Sequence, residues 1–247
     1  MIERDAFLIP EWPAPPTVHA LVTTRRGGVS KPPYDEFNLG THVGDDLEAV
    51  AANRGLLRRY LPAEPFWLEQ VHGIEVAIAG EGRSAPVRAD ASVARAAGIV
   101  CAVMTADCLP VLFCDSAGTV VAAAHAGWRG LAAGVLEATL EAMAVAPERV
   151  MAWLGPAIGP GVFEVGDEVR AAFLMSDSGA EAAFVPCGAQ GKWLADIFML
   201  ARRRLARAGV EQVYGGGLCT VSEPGRFYSF RRDAVTGRFA SLVWFDE

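Results

Sequence analysis

Two histidines and a cysteine carry most of the chemical information in this chain. It has only four histidines. Two of them sit in glycine-bearing motifs, Gln70-Val71-His72-Gly73 and His125-Ala126-Gly127-Trp128-Arg129-Gly130, and between these lies Thr105-Ala106-Asp107-Cys108-Leu109-Pro110. Two imidazoles and a thiolate suit zinc or copper. A structural zinc is normally closed by four protein ligands, whereas a catalytic zinc keeps three and leaves a position for water. Convergence of His72, Cys108 and His125 therefore predicts an active site rather than a staple. The three lie far apart in the chain, unlike the short paired spacings of zinc fingers, so the argument rests on position. Each ends a strand or turn beside glycine, proline or a polar residue, where loops gather at a sheet edge.

The same residues have other readings. Each histidine alone can be a hydrogen-bonded structural residue. Cys108 and His125 can also work without metal, as nucleophile and base, with a nearby imidazolium favouring the thiolate. Cys101 and Cys114 lie inside apolar runs and are expected to be inert core. Cys108 differs because Asp107 precedes it and Pro110 follows, breaking the strand pattern. Asp107 is a candidate for proton transfer or ligand orientation, with a turn-forming aspartate as the alternative. His19, in an alternating strand, and His42, in a polar loop where it can touch a substrate, are weaker candidates.

The positioning elements follow from pattern. Strands are expected at residues 17–24, 66–71, 74–79, 99–104, 109–114, 119–125, 150–154, 212–215, 226–231 and 239–245. Helices are expected at 46–60, 131–143, 167–175 and 193–208, the first and last with arginine-rich ends that suit a helix C-terminus. Strands and helices mix without strict alternation, which predicts an α+β or mixed α/β fold. No repeat or linker divides residues 1–247, so one domain is expected.

Composition narrows the function. The chain of 247 residues is 52% hydrophobic, enough for a sizeable core, and its net charge of -7 argues against nucleic acid as a partner. Five cysteines without short-spaced pairs read as reduced thiols, hence cytoplasm. The charged start Met1-Ile2-Glu3-Arg4-Asp5, followed by Pro10, Pro13, Pro15 and Pro16, does not read as a signal peptide, and no uncharged apolar run predicts a membrane span.

The motifs named above, with Thr23-Thr24-Arg25-Arg26-Gly27-Gly28-Val29-Ser30, Phe37-Asn38-Leu39-Gly40, His42-Val43-Gly44-Asp45-Asp46, Gly155-Pro156-Ala157-Ile158-Gly159-Pro160, Phe163-Glu164-Val165-Gly166 and Tyr228-Ser229-Phe230-Arg231-Arg232-Asp233, resemble one family. It is variously called laccase-domain protein, polyphenol oxidoreductase, purine nucleoside phosphorylase-like protein and peptidoglycan editing factor. The resemblance runs from about residue 17 to the C-terminus. It implies a single domain of mixed β-sheets packed between helical layers, similar to cytotoxic necrotizing factor toxins, and zinc on His72, Cys108 and His125. It further implies phosphorolysis of adenosine, inosine and methylthioadenosine and deamination of adenosine. Copper-dependent phenol oxidation and removal of wrongly added serine from a muramyl nucleotide precursor are the activities implied by other members.

Chemistry ranks these activities. Four histidines and no His-X-His pair cannot supply a trinuclear copper cluster besides a type 1 copper, although a lone His₂Cys site can hold copper. A zinc ion that lowers the pKa of its water towards about 7 suits hydrolytic deamination, although the zinc deaminase signature, His-X-Glu with a later Pro-Cys-X-X-Cys, is absent. Phosphorolysis needs a phosphate site. Arg26 ranks first, because Gly27 and Gly28 let backbone N–H groups approach an anion, and Arg129 next, ahead of a helix start. Arg231 and Arg232 either do similar work or pair with Asp233. Asn38 and Gln70 are candidate base or ribose contacts. The expected enzyme takes a purine nucleoside and phosphate, is a monomer or weak homo-oligomer, and has three non-enzymatic or alternative counterparts: a metal-binding interaction protein, a copper oxidase and an editing hydrolase.

Overall fold

The computed structural model describes residues 6–80 and 86–247; the expectation about Met1–Asp5 lies outside the described residues. The chain begins with β1 (Phe7–Leu8) and β2 (Val18–Thr23), then α1 (Leu47–Arg58), whose first turn is capped by the Asp46 carboxylate accepting the Glu48 N–H. Short strands β3 (Leu68–Glu69), β4 (Val76–Ile78), β5 (Val87–Arg88) and β6 (Ala91–Ala94) lead to three longer ones, β7 (Cys101–Thr105), β8 (Leu109–Asp115) and β9 (Val121–Ala126). Helices α2 (Trp128–Ala133) and α3 (Val135–Met143) precede β10 (Val150–Leu154). Strand β11 (Glu164–Gly166), helix α4 (Asp167–Leu174), strands β12 (Phe184–Pro186) and β13 (Lys192–Ala195), and helix α5 (Ile197–Arg207) follow. The chain closes with β14 (Gln212–Gly215), the single turn α6 (Phe230–Asp233) and β15 (Phe239–Phe245).

Two sheets form the centre. One is antiparallel, in the order β1-β2-β15-β7; the other is mixed, in the order β14-β10-β8-β9-β6-β4, with β10–β14 and β4–β6 parallel. Alternate residues of the mixed sheet face opposite ways. Val111, Phe113, Ala122, Ala124 and Ala152 pack with Leu136, Val169, Phe173, Leu200 and Leu205 from the helices. Leu112, Cys114, Ala123, Met151 and Trp153 pack instead with Val22, Val103, Phe239 and Val243 of the antiparallel sheet. The far face of that sheet, through Leu21, Ala102, Met104 and Leu242, meets Leu57 of α1 with Phe37 and Leu39. The result is an α+β domain of two stacked sheets between helical layers. Strands β7 to β10 are covered on both faces, which is why their sequences run apolar without alternation.

Several boundaries differ from expectation for local reasons. The helix expected at 131–143 begins at Trp128 and breaks at Gly134, whose φ of 108 no longer continues a helix. The helix expected at 193–208 yields its start to β13, because Asp196 caps α5 by accepting the Met199 N–H. Residues 226–231 are not a strand: Ser229 caps α6 by accepting the Arg232 N–H. Strand β6 was not legible, being short, alanine-rich and buried on both faces.

Candidate metal centre

Strand register brings the candidate ligands together. In the β8–β9 hairpin Leu109 pairs with Ala126 and Pro110 with His125, so Cys108, one residue before β8, lies beside the end of β9. Strand β6 pairs on the other side of β9, with Ala91 opposite Ala124, so Asp90 lies next to His125 and its carbonyl accepts the His125 N–H at 2.7 Å. Strand β4 runs parallel to β6 with Val76 opposite Ala91, which delivers the preceding loop, including His72, to Asp90. The antiparallel hairpin and the parallel pair thus converge on one edge of the mixed sheet.

The three ligand atoms of His72, Cys108 and His125 lie within 4.8 Å of one another, and this is the one such cluster of three or more found among the described residues. The Cys108 Sγ is 3.6 Å from the His72 Nε2, and the two imidazole rings meet edge to face with centroids 4.7 Å apart. Zinc bonds of about 2.3 Å to sulfur and about 2.0 Å to nitrogen, meeting at a tetrahedral angle, need an S···N edge of roughly 3.5 Å. The donor set therefore fits a metal ion. His125 is buried, Cys108 half-buried and His72 exposed, so the cluster opens on one side.

Asp90, not singled out by the sequence reading, organises the cluster. Its buried carboxylate accepts the His125 Nδ1–H at 2.8 Å and the His72 backbone N–H at 2.9 Å on one oxygen, and the Gly73 and Val71 N–H groups at 2.6 and 3.2 Å on the other. The first bond fixes the tautomer that turns the His125 Nε2 lone pair towards the cluster. The backbone bonds hold His72 at φ 62, a left-handed conformation that costs a non-glycine residue about 1–2 kcal/mol. Burial alone would raise the Asp90 pKa, but the hydrogen bonds from His125, Gly73 and His72 and the His125 charge bring it below the ordinary carboxylate value. Its only sequence signal was an acidic residue entering an alanine-rich apolar stretch.

The electrostatics favour a thiolate. Burial pushes the Cys108 thiol up, but the charge and hydrogen bond of His125 and the contact with His72 outweigh it and bring the pKa to about 6. Burial pushes His125 down, yet the Cys108 thiolate and Asp90 raise it to about 9. Without metal these values favour thiolate and imidazolium, and a metal ion bound there would take the place of the shared proton. Cys101 and Cys114 behave oppositely: burial raises both to about 12, as expected for core thiols.

Close packing leaves no room for larger residues behind the ligands. A Cβ on Gly127 would lie 2.8 Å from the His72 ring and 3.0 Å from the Cys108 Sγ, and one on Gly130 would lie 2.8 Å from the Gly73 carbonyl. Both glycines of the His125–Gly130 motif therefore let α2 approach the His72 loop.

Two cavities meet at the cluster, and both are lined by His72 and Cys108. The larger, about 710 Å³, is lined by His72, Cys108 and His125 together with His42, Arg54, Trp67, Gln70, Thr105 and Arg238. The smaller, about 290 Å³, is walled by Trp128, Ile158, Phe163, Ile197 and Phe230, with Arg129 and Arg231.

The remaining candidates take different places. Asp107, at φ 95, accepts hydrogen bonds from the Thr220 hydroxyl on one carboxylate oxygen and from the Arg231 N–H on the other. These bonds tie the residue before Cys108 to Thr220 and to the first turn of α6. Gln70 lines the larger cavity but spends both ends of its amide on the Met104 backbone, at 2.8 and 2.7 Å, extending β7 with a side chain. Asn38 is buried and holds Gly40, Asp45 and the Arg238 N–H; it is a strut, which corrects its reading as a substrate contact. Arg26 is also corrected: it lines a separate shallow depression with Arg25, Asp35, Glu36, Pro224 and Gly225, and its Nε donates to the Gly225 carbonyl. The Gly27 N–H expected to face an anion already donates to the Glu36 carboxylate. Arg129 reaches the smaller cavity, stacked over Trp128 at 4.5 Å, from inside α2 rather than ahead of it. Arg232 pairs with Asp233 and three carbonyls, while Arg231 bonds the Glu164 carbonyl beside Phe163. His19 bonds Asp246 and stacks on Trp244, outside both cavities.

Comparison with known proteins follows the same lines. Residues 19–246 match the family model described as multi-copper polyphenol oxidoreductase laccase. A Pseudomonas aeruginosa protein named purine nucleoside phosphorylase is 56% identical over 243 residues, covering 98% of this chain and 100% of the relative. The purine nucleoside phosphorylase YfiH of Escherichia coli is 57% identical over 240 residues, covering 96% and 98% respectively. The crystal structure of Neisseria meningitidis protein NMB0706 superposes with a TM-score of 0.95 at 54% identity, covering 98% of this chain and 100% of that one. A match along almost the whole chain, to relatives more than half identical in sequence, leaves one conclusion: the chain belongs to the multi-copper polyphenol oxidoreductase laccase family.

Proposed function

We propose that the protein is a zinc-dependent purine nucleoside phosphorylase, acting on adenosine, inosine and methylthioadenosine, and that the same centre deaminates adenosine. The observation that carries this reading is the open His72–Cys108–His125 cluster where a small aromatic cavity meets a larger one that holds two arginines. The names of the relatives support it. Trp128, Phe163 and Phe230 suit the flat apolar faces of a purine, and Asp107 and Asp90 hold the ligands in register.

In phosphorolysis an oxygen of hydrogen phosphate bonds to the ribose C1′ as the C1′–N9 bond breaks. The bonding pair leaves with the purine, and the proton of hydrogen phosphate ends on the released base. Deamination replaces the adenine amine with a water oxygen and releases ammonia. A zinc ion held by His72, Cys108 and His125 would supply Lewis acidity and an acidified water. The chain's own residues bind and orient the substrate and hold the thiolate. Five thiols without a disulfide support a cytoplasmic setting, and one chain supplies every ligand, which suits a monomer or weak homo-oligomer.

Metal analysis of untreated protein, run beside adenosine turnover with and without phosphate, tests the proposal. Near one equivalent of zinc and phosphate-dependent adenine release are expected. Absence of metal would point instead to a Cys108–His125 nucleophilic pair, and phosphate-independent base release would end the phosphorolysis reading. The size of the larger cavity favours a second reading, hydrolysis of a muramyl nucleotide precursor, which predicts serine release from that precursor and no turnover of nucleosides. Copper binding is compatible with the same ligands, but four histidines and a single ligand cluster among the described residues do not build a multicopper centre.

A further inference from the structure

The larger cavity contains a group of basic residues that the metal cluster does not use. Arg54 reaches it from α1, with Nε and Nη2 donating to the Leu39 carbonyl at 3.0 and 2.9 Å and its guanidinium stacked over Trp67 at 4.3 Å. Arg238 reaches it from the turn before β15, with Nη1 donating to the Thr236 and Gly237 carbonyls and its backbone N–H held by Asn38. The Asn38-Leu39-Gly40 segment therefore supports both arginines: Leu39 accepts from one, Asn38 anchors the other, and a Cβ on Gly40 would lie 2.9 Å from the Arg238 Cγ.

These contacts leave donors unspent. Arg54 Nη1 and Arg238 Nε and Nη2 have no protein hydrogen bond among the described residues. Thr105 lines the same cavity, and its buried hydroxyl likewise has no partner. The local charge is not balanced. Burial, then Arg238, then Arg54 lower the His42 pKa. Burial lowers that of Arg238, which the nearby Cys108 and Asp107 charges only partly offset. Burial also lowers that of Arg54, with Glu64 opposing. Of the carboxylates near these groups, Asp107 is bound to Thr220 and Arg231, Glu64 accepts the Trp67 indole N–H, and Glu69 is exposed at the rim. Fixed planar forks, a hydroxyl donor and an imidazole around one open cavity match the oxygens of a tetrahedral oxyanion.

We propose that Arg54 and Arg238, with His42 and Thr105, form a phosphate subsite in the larger cavity, which meets the aromatic cavity at His72 and Cys108. The subsite rests on the proposed phosphorylase reading for its ligand, orthophosphate, and moves the phosphate site away from Arg26 and Arg129. It divides the centre into a half that takes the base and a half that takes the anion, with His72 and Cys108 lining both.

The test is equilibrium binding of orthophosphate to the purified protein by calorimetry, without nucleoside, repeated with a nucleoside 5′-monophosphate. Arg238→Gln and His42→Gln are the principal variants, because Arg54 also packs on Trp67. Arg207→Gln, a surface cation that bonds the Ser176 carbonyl, is the control. Arg238→Gln is expected to weaken orthophosphate binding by at least about tenfold, as loss of a charged fork implies, and His42→Gln by less, while Arg207→Gln leaves it unchanged. Unchanged binding in a folded Arg238→Gln protein would overturn the subsite. Binding of the monophosphate alone, lost in Arg238→Gln, would keep the subsite but assign it to a phosphate carried by the substrate. Orthophosphate bound through Arg238 without any phosphorolysis would uphold the subsite and end the phosphorylase reading. Phosphorolysis whose KM for phosphate is the same in Arg238→Gln would do the reverse.

Discussion

Replacing Asp90 by asparagine isolates what the ligands owe to the group behind them. The substitution keeps the shape and removes the charge. With its oxygen towards His125 and the His72 N–H, the asparagine turns an NH₂ towards the Gly73 and Val71 N–H groups that the carboxylate now accepts at 2.6 and 3.2 Å. Two backbone donors then lose their acceptor, and hydrogen bonds to charged groups contribute about 1.5–3 kcal/mol each. At the lower end of that range the two lost bonds destabilise the protein by about 3 kcal/mol, or roughly 6–12 °C in Tm for a domain of this size. Metal affinity falls further, by about 10–100-fold, as expected when the partner of a ligating histidine is lost. In metal-free protein, removing the carboxylate lowers the His125 pKa, weakens the imidazolium and so raises the Cys108 pKa from about 6. Chelator competition reads the affinity, and alkylation rate against pH reads the thiol, with Cys108→Ala supplying the background from Cys187 and Cys219. An Asp90→Asn protein that binds zinc like the parent and titrates its thiol near pH 6 would refute the positioning role.

Gly127→Ala is expected to lose at least about tenfold in metal affinity with only a small fall in Tm, since the added methyl meets the His72 ring and the Cys108 sulfur rather than the core; equal metal content in both proteins would contradict this. Cys108→Ala is expected to lose metal and turnover, whereas Cys101→Ala, deep between the sheets, keeps both at a cost of about 1 kcal/mol of stability in urea unfolding. Asp115 closes the β8–β9 hairpin by accepting from the Thr119 hydroxyl and the Thr119 and Val120 N–H groups. Burial would raise its pKa, but these bonds lower it. Its contribution is therefore complete above the ordinary carboxylate pKa of about 3.9 and is lost as pH falls from there through the depressed value. Asp115→Asn should cost about 1–3 kcal/mol at pH 7, with the gap narrowing below about pH 4, read by urea unfolding across that range.

The strands most legible in the sequence were those buried on both faces. Residues 101–105, 109–115, 121–126 and 150–154 read as continuous apolar runs because helices cover one side of the mixed sheet and a second sheet the other. The short β6 strand has the same burial but consists of small residues that carry no pattern, and with it Asp90 was lost from view. The helix ends moved where one residue decided them: Gly134 by its positive φ, Asp196 and Ser229 by capping. The triad was visible because imidazoles and a thiol are rare in this chain and each ends an element. Arginines are common in it, and their placement depends on which carbonyls or carboxylates consume their donors, a property of the fold and not of the neighbouring residues. Arg26 looked like an anion site beside two glycines, yet Glu36, nine positions after Gly27, supplies the anion.

The same contrast explains why ligand type and ligand environment must be read separately. The His₂Cys donor set alone is compatible with zinc or copper, and hence with hydrolytic, phosphorolytic or electron-transfer chemistry. What narrows the choice is the surroundings. A second and third metal would each need their own imidazoles, and the two histidines outside the cluster are placed otherwise: His19 against Trp244 and Asp246, His42 among Arg54 and Arg238. Two cations beside His42 oppose any further positive charge at that position, whereas they favour an anion. The charge distribution around the fourth histidine thus argues against a second metal ion and for a substrate that brings negative charge to the edge of the first.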